Sequence, residues 1–163
     1  MFVVSTVVTI AVPSLQQLIS NQRMAGAINT LITGLYLARS EAIKRAENAA
    51  LCPSIDGRNC TNGNKWEAGY LLYIDRNANN KVDADERVVQ VFEATNQMRL
   101  RTTPGRDHVR YVSSGLAPGS NATFTLCHAR GQGTPRTVVI SIAGRVRTAT
   151  RMPGGGAIVC PSA

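Results

Sequence analysis

The residues with the clearest chemistry are arginines near the end of the chain. Gly144 is followed by Arg145, Arg147 and Arg151, and Val146 separates the first two arginines. Alternate side chains of a β-strand lie on one face, so these three guanidinium groups are predicted to project together. Residues two apart in a strand are separated by roughly 6.8 Å, which lets long side chains reach successive phosphates. The pattern predicts a phosphate-binding strand that begins at a tight turn containing Gly144.

Three further arginines are candidates for the same surface. Arg99 and Arg101 alternate within a second predicted strand, and Arg136 is predicted to lie across the turn from Arg145. A guanidinium group is always charged, and its planar fork matches the oxygens of a phosphate. The alternative is that alternating arginines form the solvated face of an antiparallel strand and serve solubility alone.

The net charge of the chain is concentrated in its second half. The 163 residues contain 18 Lys and Arg against 10 Asp and Glu, a formal charge of +8. Up to Glu86 each sign occurs eight times, whereas ten arginines from Arg87 onward face only Glu93 and Asp107. A one-sided excess of arginine favours a polyanion as partner. We therefore predict binding to the DNA backbone that tolerates any sequence and weakens with salt, with base stacking as a lesser contribution.

A second candidate site is the acidic stretch from residue 75 to residue 86. Oxygen donors recur at relative positions one, three, five, nine and twelve, and a backbone carbonyl occupies position seven, as in calcium-binding loops. The sixth position is an asparagine rather than a glycine, and predicted strands flank the stretch. The alternative is a hairpin loop rich in Asx turns. The predicted calcium ligands are Asp75, Asn77, Asn79, the carbonyl of Lys81, Asp83 and Glu86.

The four cysteines are Cys52, Cys60, Cys127 and Cys160. An even number of cysteines in a small β-rich domain favours disulfides and an oxidising compartment such as a bacterial periplasm. Three connectivities are possible. We favour Cys52–Cys60, which closes a local loop, and Cys127–Cys160, which ties down the C-terminus. The wide cysteine spacings are unlike those of zinc sites.

Sequence signatures of catalysis are absent. The only two histidines, His108 and His128, are far apart in the chain, and neither a phosphate-cradling Gly-x-x-x-x-Gly-Lys-Ser/Thr motif nor a Gly-x-Ser-x-Gly motif occurs. The chain is therefore expected not to be an enzyme.

A long helix followed by short strands is predicted to position these residues. No charge occurs before Arg23, and apolar residues then recur at three- and four-residue steps to near Asn48. Residues 1–22 are predicted to be an apolar helix half for a membrane or filament core, and residues 23–163 the globular domain. Beyond Asn48 the pattern alternates between turn signals, which predicts an α+β fold with antiparallel strands packed on the helix. The predicted strands are Ala49–Cys52, Gly69–Asp75, Arg87–Glu93, Gln97–Thr102, His108–Val112, Thr123–His128, Arg136–Ile142, Arg145–Arg151 and Ala157–Cys160.

Four segments carry a family resemblance in the expected order, and an acidic turn at Asp75 lies among them. They are Ala11–Ser14, Leu37–Arg45, Trp66–Tyr70 and Ser141–Arg147. On these segments the chain resembles the minor pilins and pseudopilins of the GspH/FimT family. The resemblance implies a type IV pilin-like fold, residence in the bacterial inner membrane and periplasm, and later assembly with other pilin subunits into a surface pilus.

The resemblance also implies a function. In this family a Gly-Arg-x-Arg element is associated with members that bind DNA during natural transformation, which implies DNA contacts for Arg145 and Arg147. The family opens with a cleaved leader and an apolar run containing a glutamate, neither of which occurs here, so we expect the natural start to lie upstream. The alternatives are a structural minor pseudopilin of a type II secretion system and a calcium-stabilised adhesion module.

Overall fold

A helix of 44 residues, α1 (Phe2–Arg45), opens the structure, which is a computed structural model. It describes residues 2–95, 97–131 and 133–161, with side chains from Gln17 onward. The last turn of α1 carries two basic side chains, where cations offset the partial negative charge of the free carbonyl groups. Ala46 follows with a φ of 56°, a left-handed residue that ends the helix slightly earlier than predicted.

The N-terminal part of α1 was predicted to serve a membrane or a filament core. Within the described part of the chain, no helix combines the length and the hydropathy that crossing a bilayer requires. The side chains of residues 1–16 lie outside the described residues. The division into residues 1–22 and 23–163 therefore stays a prediction.

The described residues form eight strands in two antiparallel four-stranded sheets. The first sheet has the order β3-β2-β1-β5 and the second has the order β4-β6-β7-β8. Eight of the nine predicted strands are present. The ninth, Ala157–Cys160, is irregular and mostly exposed, so its alternating pattern has no buried face to drive strand formation. The strands are β1 (Ala49–Pro53), β2 (Tyr70–Ile74), β3 (Val88–Phe92), β4 (Met98–Thr102), β5 (Val109–Tyr111), β6 (Ala122–His128), β7 (Arg136–Ile140) and β8 (Val146–Ala149).

One apolar stripe of α1 packs against both sheets and forms the core between them. Apolar residues from Met24 to Ala42 recur at steps of three and four, and their side chains are buried. On the sheet side, Trp66 meets the ring of Phe124 edge-on, with 4.9 Å between ring centroids. The predicted α+β fold, with the helix packed on antiparallel sheets, is confirmed. The buried stripe consists of Met24, Ile28, Leu31, Leu35, Ala38 and Ala42.

Candidate nucleic-acid interface

The Gly-Arg-x-Arg element lies in the hairpin that joins β7 to β8, here called the arginine hairpin (residues 141–147). The amide of Gly144 donates to the carbonyl of Ser141 at 2.8 Å, and the amide of Ser141 donates to the carbonyl of Arg145 at 3.0 Å. Gly144 has a φ of 72°, which suits the left-handed position of a three-residue hairpin loop. Its place in the tight turn agrees with the sequence prediction.

Gly144 is buried, so it supports the turn instead of offering a surface to a ligand. A Cβ at this position would overlap the carbonyl oxygen of Gly115 and lie 3.1 Å from a ring carbon of Tyr111. Burial raises the pKa of Tyr111 to about 12, so its ring remains a neutral packing surface below the turn. Gly144 therefore contributes to the predicted site through the shape of the turn, which is the place that the sequence predicted for it.

Two residues that the sequence did not single out hold this turn. The Nη1 atom of Arg39, in α1, donates to the Gly144 carbonyl at 3.3 Å. Gly115 lies between the turn and the helix. Two residues later in the same loop, the amide of Ala117 donates to the carbonyl of Ile142 at 2.8 Å. In the sequence, Arg39 is noticeable only as a member of the segment Leu37–Arg45. Membership of that segment does not indicate that its side chain contacts the carbonyl of Gly144.

Arg145 and Arg147 project from the same side of the arginine hairpin. Arg147 pairs with Val139 across the strands, whereas the neighbouring Val146 pairs with Ile140 and packs on the core. Arg145 and Arg147 line one shallow depression on the outer face. Both are exposed, and neither forms an ion pair with a residue that the structure describes. The structure therefore brings these two predicted residues together.

Arg151 does not continue this row. Strand β8 ends at Ala149, two residues before Arg151, and the hydroxyl of Thr137 donates to the carbonyls of both Ala149 and Arg151 at 3.2 Å. The guanidinium of Arg151 donates to the carbonyl of Gly155 at 3.2 Å. Six residues of extended chain span about 20 Å, so Arg145 and Arg151 lie near opposite ends of the strand. The predicted set of three arginines is an adjacent pair and one separate residue.

Arg136 lies on the opposite face of the second sheet, so the prediction that it adjoins the arginine hairpin is wrong. It is three residues from Val139, and an odd separation in a strand places two side chains on opposite faces. Arg136 lines a groove beside Ile28 and Ile32 of α1.

Arg99 and Arg101 share the outer face with Arg147, but they have partners. The Nη2 atom of Arg101 lies 2.8 Å from Oε1 of Glu67, and the side chain of Arg101 is only 9% exposed. The Nη1 atom of Arg99 donates to the carbonyl of Pro161 at 2.7 Å. The proposed contribution of Arg101 to binding is therefore wrong, because its charge is neutralised, whereas Arg99 remains partly exposed.

The acidic stretch is a loop held by its own hydrogen bonds. Asp75 is fully buried, with Oδ1 accepting from the amide of Asn79 at 3.1 Å and Oδ2 lying 3.5 Å from Nη1 of Arg110. The side-chain amides of Asn77 and Asn79 both donate to Oδ2 of Asp83 at 2.7 Å. These two hydrogen bonds lower the pKa of Asp83.

The same loop contains the Asx turns expected from its asparagines. Oδ1 of Asn77 accepts from the amide of Asn79, and Oδ1 of Asn79 accepts from the amide of Lys81. Asn80, at the sixth position of the stretch, has a φ of 62°, and Glu86 accepts from backbone amides of the loop. Among residues 2–95, 97–131 and 133–161, no three His, Cys, Asp or Glu side chains converge as metal ligands. Calcium binding stays a prediction.

Both disulfides join the cysteine pairs that the sequence favoured. Cys52 and Cys60 close a short loop after β1, with a sequence separation of 8. Cys127 and Cys160 are 33 residues apart, and their bond fixes the irregular C-terminal segment to β6.

Comparison with known proteins assigns the family. The model of a family described as type II transport protein GspH matches residues 27–144. The chain belongs to the GspH family. The match ends at Gly144. Arg145, Arg147 and the C-terminal segment of this GspH-family chain therefore lie outside the residues that the family model matches.

Two comparisons relate this GspH-family chain to pilins. It is 33% identical over 138 residues to the pilin-like protein PilA1 of Thermus thermophilus, which covers 80% of this chain and 81% of the relative. Two crystal structures of the type IV minor pilin FimU of Pseudomonas aeruginosa PAO1 have the same fold. The first has a TM-score of 0.62 and 18% sequence identity, and the match covers 80% of this chain and 90% of FimU. The second has a TM-score of 0.56 and 20% identity, and the match covers 78% of this chain and 91% of FimU. The fold is therefore that of a type IV pilin.

Proposed function

We propose that this GspH-family chain is a minor type IV pilin that binds the phosphate backbone of extracellular DNA and supports DNA uptake in natural transformation. The observation that carries the proposal is the state of Arg145 and Arg147. Their side chains are exposed on one side of a fixed hairpin, and no described carboxylate lies within ion-pair distance of either.

The absence of a local counter-charge decides what these side chains can do. Arg101, on the same sheet face, already has a carboxylate partner in Glu67. Arg145 and Arg147 keep their full charge for a ligand, and a DNA phosphate offers the oxygens that a guanidinium fork fits. Binding of this kind releases counterions from DNA, so it is independent of base sequence and falls steeply with salt.

Arg99 and Arg151 are proposed to border the binding surface. On the outer face, three strand spacings, about 14 Å, separate β4 from β8, and Arg99 pairs with Cys127, four residues along β6 from the row that holds Arg147. Arg151 is exposed at the other end of β8. A duplex lying across this face would meet Arg145 and Arg147 first, with Arg99 and Arg151 at its margins.

The chain acts as a binding subunit and not as an enzyme in this proposal. Helix α1 packs with other pilin subunits in this proposal, so that the sheet faces outward from a pilus. Membership of the GspH family and the two disulfides, which are typical of an oxidising compartment, support this placement. Retraction of the filament would carry bound DNA inward.

The test is an affinity measurement on the full chain in a non-ionic detergent. Fluorescence anisotropy would compare two labelled duplexes of unrelated sequence. Arg145→Gln with Arg147→Gln should raise the Kd for both duplexes roughly tenfold or more, because two phosphate contacts are lost. The matched control is Arg58→Gln with Arg87→Gln, which removes two exposed charges elsewhere. Equal losses in the two double variants, or no loss in the first, would contradict the proposal.

A second candidate is a structural subunit of a secretion apparatus. The description of the matching family as a type II transport protein favours it. In that case Arg145 and Arg147 are a solvated surface, and the double variant would leave both DNA affinity and transformation frequency unchanged.

A further inference from the structure

The turn that presents Arg145 rests on helix α1 through the side chain of Arg39. Nη1 of Arg39 donates to the carbonyl of Gly144, the residue directly before Arg145. Nε of Arg39 lies 3.1 Å from the point where a Cβ of Gly115 would stand, and the carbonyl of Gly115 in turn touches the Gly144 position. The helix, the Gly115 turn and the arginine hairpin are therefore stacked in direct contact.

We propose that Arg39 is a positioning residue for DNA binding, which rests on the proposed function of Arg145 and Arg147. By holding the Gly144 peptide, it fixes the direction in which Arg145, the next residue, leaves the hairpin, whereas Arg147 is held in β8 by its pairing with Val139. A preorganised Arg145 beside the fixed Arg147 binds more tightly because less conformational freedom is lost when the ligand arrives. Arg39 itself is not proposed to touch the phosphate backbone.

The surroundings of Arg39 separate it from the other cations of the helix. Arg45, in the last turn of α1, forms an ion pair with Glu41 at 2.6 Å, whereas Arg39 makes none with any described residue. Its guanidinium is half-buried and donates to a backbone carbonyl 105 residues away in sequence. A half-buried cation without a carboxylate partner that instead holds a carbonyl of a distant turn is consistent with a role in positioning that turn.

Two glycines make this close approach possible. A Cβ at Gly115 would lie 2.8 Å from Cδ1 of Ile43, and the φ of Gly115 is 76°. The turn is held at a second point, because Ala117 N donates to the carbonyl of Ile142. Loss of the Arg39 contact should therefore free the tip of the hairpin at Gly144 while the strands and their pairing remain.

Arg39→Met tests the proposal in the full chain, because methionine keeps an unbranched stem and removes the donor. The expected result is a Kd for duplex DNA that rises roughly fivefold, because the freed Arg145 side chain must then be ordered when DNA binds. The slope of log K against log salt should not change, because Arg145 and Arg147 still reach their phosphates. Lys44→Met is the matched control, since it removes an exposed positive charge from the same helix, and its Kd should rise less than about twofold.

A second measurement follows the hairpin without DNA. Backbone ¹⁵N relaxation of Gly144 and Arg145 should show increased nanosecond motion in Arg39→Met, while the strand amides of β7 and β8 stay rigid. Arg39→Lys keeps the charge but loses the planar fork, and we expect it to weaken binding in the same direction as Arg39→Met.

Each other outcome has a distinct meaning. An unchanged Kd in Arg39→Met, or an equal loss in Lys44→Met, would overturn the positioning role. A salt slope reduced by about one would also overturn it, because Arg39 would then be a phosphate contact itself. Rigid hairpin amides in a weakened variant would overturn it as well. If the Arg145 and Arg147 double variant binds DNA normally, the proposed function fails instead.

Discussion

Nη2 of Arg101 lies 2.8 Å from Oε1 of Glu67, on the sheet face that also carries Arg147. The two arginines therefore share a face but differ in surroundings. Arg101 is nearly buried and neutralised, whereas Arg147 is exposed and has no carboxylate partner among the described residues. This difference should separate their effects on stability from their effects on binding.

Arg101→Gln should lower the free energy of unfolding by about 2–3 kcal/mol, because Glu67 is left largely buried without its partner. Arg147→Gln should change it by less than about 0.5 kcal/mol, as expected for an exposed surface residue. Urea unfolding followed by circular dichroism measures both values. DNA affinity should show the reverse order, and a larger loss of affinity in Arg101→Gln would contradict the assignment of these two residues.

The disulfides should differ in their contributions. Loop entropy predicts that removing Cys127–Cys160, with a separation of 33 residues, costs about 3–4 kcal/mol. Removing Cys52–Cys60, with a separation of 8, should cost about 2–3 kcal/mol. Unfolding of the two double Cys→Ser variants measures the order. A larger loss of stability on removal of Cys52–Cys60 would contradict the prediction. Only loss of the Cys127–Cys160 bond should also free the side chain of Arg99, which donates to the carbonyl of Pro161 beside that bond.

Stability should fall in acid. The hydrogen bond from Arg45 holds the pKa of Glu41 below its ordinary value of 4.5. The folded state then binds fewer protons than the unfolded state, so this stabilisation is present above pH 4.5 and is lost as the pH falls through the lowered pKa. Melting temperatures at pH 6 and pH 3 should differ by less in Glu41→Gln than in the unmodified chain. Equal differences in the two proteins would remove Glu41 as a contributor.

Calcium binding by the loop that begins at Asp75 is tested by a thermal melt. The side-chain amides of Asn77 and Asn79 would have to release Asp83 and turn their oxygens to the ion. A cation that binds only the folded state raises the melting temperature. The calcium prediction expects a higher midpoint with calcium than with a chelator, and a smaller rise in Asp83→Asn. Identical midpoints would exclude the site.

The spacing of apolar residues and the positions of turn residues in the sequence were sufficient to predict most of the fold. The stripe from Met24 to Ala42 follows from helical spacing, and the turn at Gly144 follows from glycine flanked by alternating residues. Ala157–Cys160 also alternates but has no strand neighbour, which local pattern does not reveal. The two disulfide pairs agreed with the sequence preference because one closes a short loop and the other fixes the chain end.

The surroundings of the arginines depend on contacts between distant segments. The face of Arg136 relative to Arg147 is set by the register of the hairpin, and a shift of one residue would exchange the faces. Glu67 reaches Arg101 because residue 65 pairs with the edge of β4. The contact of Arg39 with Gly144 joins a helix to a turn 105 residues later. No periodicity in the sequence encodes these three relationships.

The most direct test of DNA binding is the salt dependence of affinity. Each phosphate contact on duplex DNA contributes a slope of about −0.9 to log K against log salt. The unmodified chain should therefore show a slope steeper by about two than Arg145→Gln with Arg147→Gln, while Arg58→Gln with Arg87→Gln should match the unmodified chain. Coincident slopes for the unmodified chain and the Arg145 and Arg147 double variant would contradict the account.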